Sequence, residues 1–383
     1  MTVENSFSKI SFLLIVVLFL TLTINAFRAN GDDFQVFYQA GTHYRMGEPL
    51  YQIQRDGAKC FKYPPYIAFF LAPFSILPFS IAQLLWRLLS IASLLWITRF
   101  LLRHNLSWKA LGLSLIPFWG VWMNTVVSGQ SSLILTALSI WGVSQILARH
   151  SKNSIAWLSL LSSLSMKLFH LFALIGLPKQ VISKQIKVIS ILIFIMGVLS
   201  LPALIGYNFQ LGSFFRAYLE SMQNPSSVTV GGHYGFPALL TPILKKTILS
   251  PVAMESSTLL IAAIGIIFFL KLKPRFESPL EAFISALALS LCIHPLTFHY
   301  SFASAFPLAA ITLQKALDSS SNRRNFRIGF TLMGVAMITL VHEKSLGELG
   351  HVLSNLKIKS WGVVILILIL TQLNQLRLRS KTT

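Results

Sequence analysis

The chain has 383 residues, of which 54% are hydrophobic and 11% charged, and its mean hydropathy is +0.67. Soluble domains carry about a quarter charged residues, so a water-soluble enzyme, a disordered chain and a disulfide scaffold are excluded. A net charge of +20 would point to nucleic acid in a soluble domain. Here the basic residues gather in short segments between apolar runs, the pattern that orients a membrane protein, and no nucleic-acid partner is implied.

Apolar runs of about eighteen residues or more can cross a roughly 30 Å hydrocarbon core. They recur at 10–29, 81–102, 108–127, 131–148, 188–206, 252–270, 279–297, 300–317, 328–342 and 360–376. The pattern predicts an all-α polytopic membrane protein, a bundle of about 10–12 transmembrane helices forming one integral domain over 1–383. The first run follows Lys9 and is too long for a secretory leader, so it reads as an uncleaved anchor. After it, Phe37, Ala40, Gly41 and Tyr44 recur at helical spacing and predict an amphipathic interfacial helix over 34–46, ended by Gly47-Glu-Pro49. Pro64, Pro65, Pro73 and Pro78 rule out a clean span over 64–80 and predict a kinked interfacial helix.

The stretch 154–178 is apolar but flanked by basic clusters at both ends, Arg149/Lys152 and Lys179/Lys184/Lys187. If both clusters lie on one side, the stretch enters and returns as two short helices broken around Lys167–His170; the alternative is one tilted helix that inverts every later span. Charge counting favours the first. The segments then cytoplasmic hold 19 basic and four acidic residues, against 11 basic and eight acidic on the far side. Both termini are thereby predicted cytoplasmic, in the plasma (inner) membrane, with long far-side loops at 30–80 and 207–251. Cys60 and Cys292 read as unpaired, and no spacing of His, Cys, Asp and Glu resembles a metal site.

Acidic residues are scarce enough for position to matter. Only four aspartates occur, and two, Asp32-Asp33, stand just past the first span. They either solvate a loop and cap the next helix, or present a carboxylate at headgroup depth. Lys167 falls within a span, where a lysine costs about 2.5–3.5 kcal/mol on insertion scales, which makes function the default reading. Arg87, near the outer end of its span, reads as a snorkelling side chain.

The order Asp33-Phe-x-x-Phe-Tyr-x-Ala-Gly41, Gly47-x-x-Leu-Tyr51, Tyr63-Pro-Pro65, Gly129-Gln130 and His294-Pro-Leu-Thr-Phe-His299-Tyr300 resembles glycosyltransferase family 87, of the GT-C fold. The resemblance runs over roughly 30–310. It implies a GT-C-type bundle whose first extracytoplasmic loop carries interfacial helices. The implied reaction moves a hexose, often mannose, from a polyprenyl-phosphate donor to a hydroxyl on a lipid or glycan acceptor outside the cytoplasm, with inversion. Asp33 matches the family's catalytic aspartate and His299 its histidine, while Tyr63 and Gln130 fall in its other motifs.

A sugar hydroxyl must lose its proton as it attacks, and a positioned base contributes about 10²–10⁴-fold to such a step. The departing phosphate needs cationic or hydrogen-bonding partners. Lys62, Lys167, Arg45, His170 and His233 are the candidates. His299 could instead be a helix-end histidine bonded to a carbonyl. No cofactor is required by this scheme, and a divalent ion between Asp33 and the donor phosphate is compatible with it but not demanded. The competing reading is a secondary transporter of a lipid-linked or small polar substrate, built on the broken helices at 154–178; the gathering of ionisable residues at one face argues against it.

Overall fold

The computed structural model describes residues 3–28, 33–56, 60–149, 154–166, 168–223, 236, 251–293, 299–320, 323–340 and 343–382. Every regular element among them is helical. Four helices, Phe79–Arg103, Trp108–Ser128, Ile186–Tyr207 and Ile358–Leu378, are long and apolar enough to cross a membrane, and shorter apolar helices lie beside them. The last of the four is part of a longer helix, Ile358–Thr382. Helix Ile186–Ser200 shows why lipid is the solvent: only Leu192 and Met196 are buried, while Ile191, Ile193, Phe194 and Val198 are exposed. A helix that is apolar all round has no polar face to give to water.

Helix α1 (Val3–Arg28) leads to α2 (Asp33–Met46), the predicted interfacial helix, which buries Phe34, Phe37, Ala40 and Gly41. The proline-rich stretch after it is broken as expected, into helix α3 (Pro65–Leu71), a 3₁₀ turn Phe74–Ile76 and the start of α4 (Phe79–Arg103). Gly41 lets α2 and α3 meet closely, since a Cβ there would lie 2.6 Å from the Leu71 carbonyl oxygen. Helices α5 (Trp108–Ser128) and α6 (Ser132–Arg149) complete the frame around the site.

The stretch 154–178 is two elements, α7 (Ser154–Met166) and a 3₁₀ helix Leu168–Gly176. At about 1.5 Å and 2.0 Å per residue, neither alone crosses a roughly 30 Å core. They run in opposite directions. Near the end of α7, Ser165 hydrogen-bonds the Tyr66 hydroxyl of α3. At the end of the 3₁₀ helix, Lys273 Nζ donates to the Ile175 and Leu177 carbonyls at 2.5 and 2.6 Å. The stretch therefore enters and returns, and Lys273 satisfies carbonyls that a helix end leaves bare.

The reading of Arg87 is corrected. Arg87 does not snorkel: it is 3% exposed, and its guanidinium donates to the Ala26 carbonyl at 3.0 Å and the Val127 carbonyl at 3.1 Å. It thereby binds the C-terminal ends of α1 and α5, where helix dipoles favour a cation. Lys359 is also buried, at 0% exposed. Helix Ile358–Thr382 begins one residue earlier and turns it inward. Its Nζ donates to the Ile338 carbonyl and sits 5.8 Å from the centre of the Phe302 ring. Neither cysteine forms a disulfide.

Candidate functional site

Asp33 occupies the first turn of α2, where a carboxylate is favoured by the positive end of the helix dipole. Its partner comes from 97 positions along the chain: Gln130 Nε2 donates to Asp33 Oδ2 at 2.6 Å. The turn that delivers Gln130 has a definite local cause. Gly129 stops α5 in the left-handed region at φ +77°. Gln130 N then donates to the Thr125 carbonyl (2.9 Å) and Gly129 N to the Val126 carbonyl (3.2 Å), the paired bonds of a Schellman ending. A side chain at 129 is excluded twice over, since its Cβ would also lie 2.7 Å from Phe34 Cβ. Trp86 Nε1 donates to the Gly129 carbonyl at 2.8 Å and packs at a tilt against Phe34 and Phe37, with ring centres 5.5 and 5.4 Å away. The carboxylate, its amide partner and the two helix ends are thus one rigid unit.

Two tyrosines face this unit. Tyr63 packs on Phe37 with ring centres 5.4 Å apart, and its carbonyl accepts the Tyr51 hydroxyl at 2.8 Å. Burial pushes the Tyr63 hydroxyl pKa well above its ordinary value, and the Asp33 charge adds to the rise. Tyr300 is within electrostatic reach of Asp33 and Tyr63 as well. It is the second residue of the segment His299–Ala305, and its carbonyl accepts from the Thr125 hydroxyl at 3.3 Å. His299 is buried at the head of that segment. Lys62, half-buried beside Tyr63, has its pKa lowered chiefly by burial.

The other candidates lie elsewhere. Arg45 is exposed on α2, with Nη2 3.5 Å from the Ser75 carbonyl. His170 is buried in the 3₁₀ helix Leu168–Gly176, which packs on the helix Pro279–Ile293. Lys167, His233 and the segment 294–298, with Asp32, fall outside the described residues. His43, one turn before the end of α2, pairs with Glu48 at 2.6 Å. Among the described residues, no group of three His, Cys, Asp or Glu side chains could hold a metal ion.

Sequence reasoning missed Trp86, Arg87 and Tyr300 as parts of this site. Tyr300 directly follows His299, and Trp86-Arg87 sits near the outer end of a span; those positions were the available signals. An apolar groove of about 310 Å³ runs from Trp86 and Leu71 along Leu135, Leu158 and Met166. The indole that holds the Gly129–Gln130 turn is therefore part of its wall.

The family model for glycosyltransferase family 87 matches residues 61–296, more than half of the chain. The matched stretch holds Lys62, Tyr63 and Gln130; Asp33 precedes it and His299 follows it. No curated protein matches the chain, and no solved structure does.

Proposed function

The chain belongs to glycosyltransferase family 87 and is a membrane glycosyltransferase; from that premise we propose that it moves a hexose, mannose foremost, from a polyprenyl-phosphate donor to a hydroxyl acceptor, with Asp33 as general base. The observation that carries this reading is the Asp33–Gln130 pair. Gln130 orients one carboxylate oxygen without neutralising it. Oδ1 accepts no hydrogen bond from a described residue, so it is open to take a proton.

In the proposed step, the acceptor oxygen attacks the anomeric carbon as its proton passes to Asp33 Oδ1. The bond from that carbon to the phosphate oxygen breaks, and polyprenyl phosphate departs with the electron pair. Attack opposite the leaving group inverts the anomeric centre, and one carboxylate suffices for this geometry. His299 and Lys62 are the groups assigned to the departing phosphate, because their neighbours Tyr300 and Tyr63 both feel the Asp33 charge. A lysine with a burial-lowered pKa gains more from an anionic partner than a solvated one does. The apolar groove lined in part by Trp86 supports a donor carried on an isoprenoid tail. Membrane lipids surround the bundle, and the scheme uses no cofactor and no metal.

We place the site on the extracytoplasmic side of the plasma membrane, with both termini in the cytoplasm. The basic segments support this orientation, because Lys273 and Lys315 stand at the bundle end opposite Asp33. A reporter fused after Thr383 that functions only in the cytoplasm should be active; an inactive one would reverse the orientation.

The reaction is tested by transfer of radiolabelled mannose from polyprenyl-phosphate mannose to membrane lipid or glycan acceptors. Membranes holding the wild type are compared with membranes holding equal amounts of Asp33→Asn. Label moved by the wild type and not by the variant is the expected result. Equal transfer by both would remove Asp33 from the mechanism, and transfer by neither would overturn mannose as the sugar.

A further inference from the structure

Lys359 is a buried cation that the transfer scheme does not use, and it lies beyond the residues 61–296 that the family model matches. Its mount is rigid. One turn later on the helix Ile358–Thr382, Gly362 meets Gly334 of the helix Arg324–Thr339 so closely that a Cβ at 362 would lie 2.7 Å from the Gly334 carbonyl oxygen. One turn beyond Gly334, the Ile338 carbonyl accepts from Lys359 Nζ. That carbonyl belongs to the last turn of its helix, where no intrahelical partner exists. The ammonium also lies 5.8 Å from the centre of the Phe302 ring, within the range of a cation–π attraction, which strengthens when both groups are desolvated.

Phe302 belongs to the segment His299–Ala305, three residues after His299. Separate elements hold that segment at successive points. Thr125 of α5 reaches the Tyr300 carbonyl at 3.3 Å, the hydroxyls of Thr136 on α6 and Ser304 are hydrogen-bonded at 2.7 Å, and Lys359 faces Phe302. The neighbours of Lys359 grip the chain on the other side of His299. The Cys292 thiol donates to the Ser360 carbonyl at 3.5 Å. Trp361 packs on Phe236 with ring centres 4.9 Å apart, and the Phe236 N–H donates to the Cys292 carbonyl at 2.7 Å. The start of this one helix therefore touches the chain both before and after His299.

Burying an ammonium is costly, and an apolar side chain of similar volume fills such a space without that cost. We propose that the charge of Lys359 serves position: by holding the Phe302 ring it fixes the segment that carries His299 and Tyr300, and Lys359 is thereby a positioning residue for sugar transfer. Its side chain is closed off from substrate, so it acts through Phe302 and not on the reacting atoms. The effect on transfer rests on the roles given to Asp33 and His299 above; the hold on the segment does not.

The test uses the full-length protein in lipid nanodiscs and two kinds of change. Lys359→Met removes the charge and nearly keeps the volume. Separately, Phe302 is replaced by phenylalanine analogues carrying successively more ring fluorines, which weaken the attraction for a cation with little change of shape. Hydrogen exchange of peptides covering 299–305 is followed by mass spectrometry, beside turnover per folded molecule with polyprenyl-phosphate mannose. Exchange at 299–305 should rise about threefold to thirtyfold in Lys359→Met, with other helices unchanged. Turnover should fall by a similar factor while the donor KM stays within about twofold, and both effects should grow stepwise with fluorine number. Unchanged exchange at 299–305, a flat fluorine series, or faster exchange spread evenly over the bundle would overturn the proposal. Faster exchange at 299–305 with unchanged turnover would overturn the role in transfer. If Lys359→Met does not fold, the fluorine series decides alone. If the wild type moves no mannose, the transfer reading fails by itself, and exchange still decides whether Lys359 holds the segment.

Discussion

A pair of carboxylates, Glu277 and Glu281, and a single one, Asp33, stand at opposite ends of this bundle, and they are handled in opposite ways. Glu277 and Glu281 are gripped by Lys315 at 2.7 and 2.6 Å, with Arg377 3.5 Å from Glu277 and Asn374 donating to Glu281 at 3.0 Å. Asp33 receives one hydrogen bond from a neutral amide and no ion pair with a described residue. A carboxylate whose charge is cancelled by cations is a poor base, because protonation then means giving up the ion pairs. A carboxylate held by an amide keeps its orientation without an ion pair. The comparison separates a pair of carboxylates that joins helices from a single one that a neutral amide orients.

Substitutions can break that contrast, beginning with the largest effect. Asp33→Asn should lower the initial rate of sugar transfer by about 10²–10⁴-fold, with helical content and membrane insertion unchanged. Lys315→Met should do the reverse. It leaves Glu277 and Glu281 without their main cation and should lower stability by about 1.5–3 kcal/mol, read by thermal unfolding in detergent, while transfer per folded molecule stays at the wild-type level.

Gln130→Glu sharpens the comparison. It places a second carboxylate against Asp33, and two such groups share a proton and titrate as a pair. The acid limb of the transfer pH profile should move up by more than about one unit. An unmoved limb, with activity merely reduced, would show that Gln130 serves only to hold the helix ends.

The smallest expected effect concerns Lys62. Its pKa in the folded protein is lowered from 10.5, so between the lowered value and 10.5 the unfolded chain binds more protons here. Stability contributed by this group therefore rises with pH across that window. Lys62→Met should flatten this rise in a thermal series over alkaline pH, and an unchanged slope would assign it to another group.

Much of the architecture was legible in the sequence because a membrane leaves few choices. Apolar length marks helices that cross, and the order of basic clusters favoured two short elements over one tilted helix in 154–178, where α7 and the following 3₁₀ helix lie. Helical spacing of Phe37, Ala40 and Gly41 placed the interfacial helix at 34–46, and it runs from Asp33 to Met46. Proline positions predicted the breaks between residues 64 and 80. All of these are local properties, set by backbone chemistry and by the transfer of side chains between water and lipid.

The partners of individual polar groups were decided only by the tertiary structure. Arg87 has the same local sequence whether it snorkels or binds two helix ends; the approach of α1 and α5 turned it inward. Lys359 likewise found the end of a helix that closes near residue 338. The sequence named Asp33 and Gln130 separately, but their 2.6 Å bond depends on the glycine turn beside Gln130 and on an indole and a guanidinium that one other helix supplies. A buried polar group takes whichever partner packing brings within reach, and packing joins residues whose distance along the chain carries no record of their distance in space.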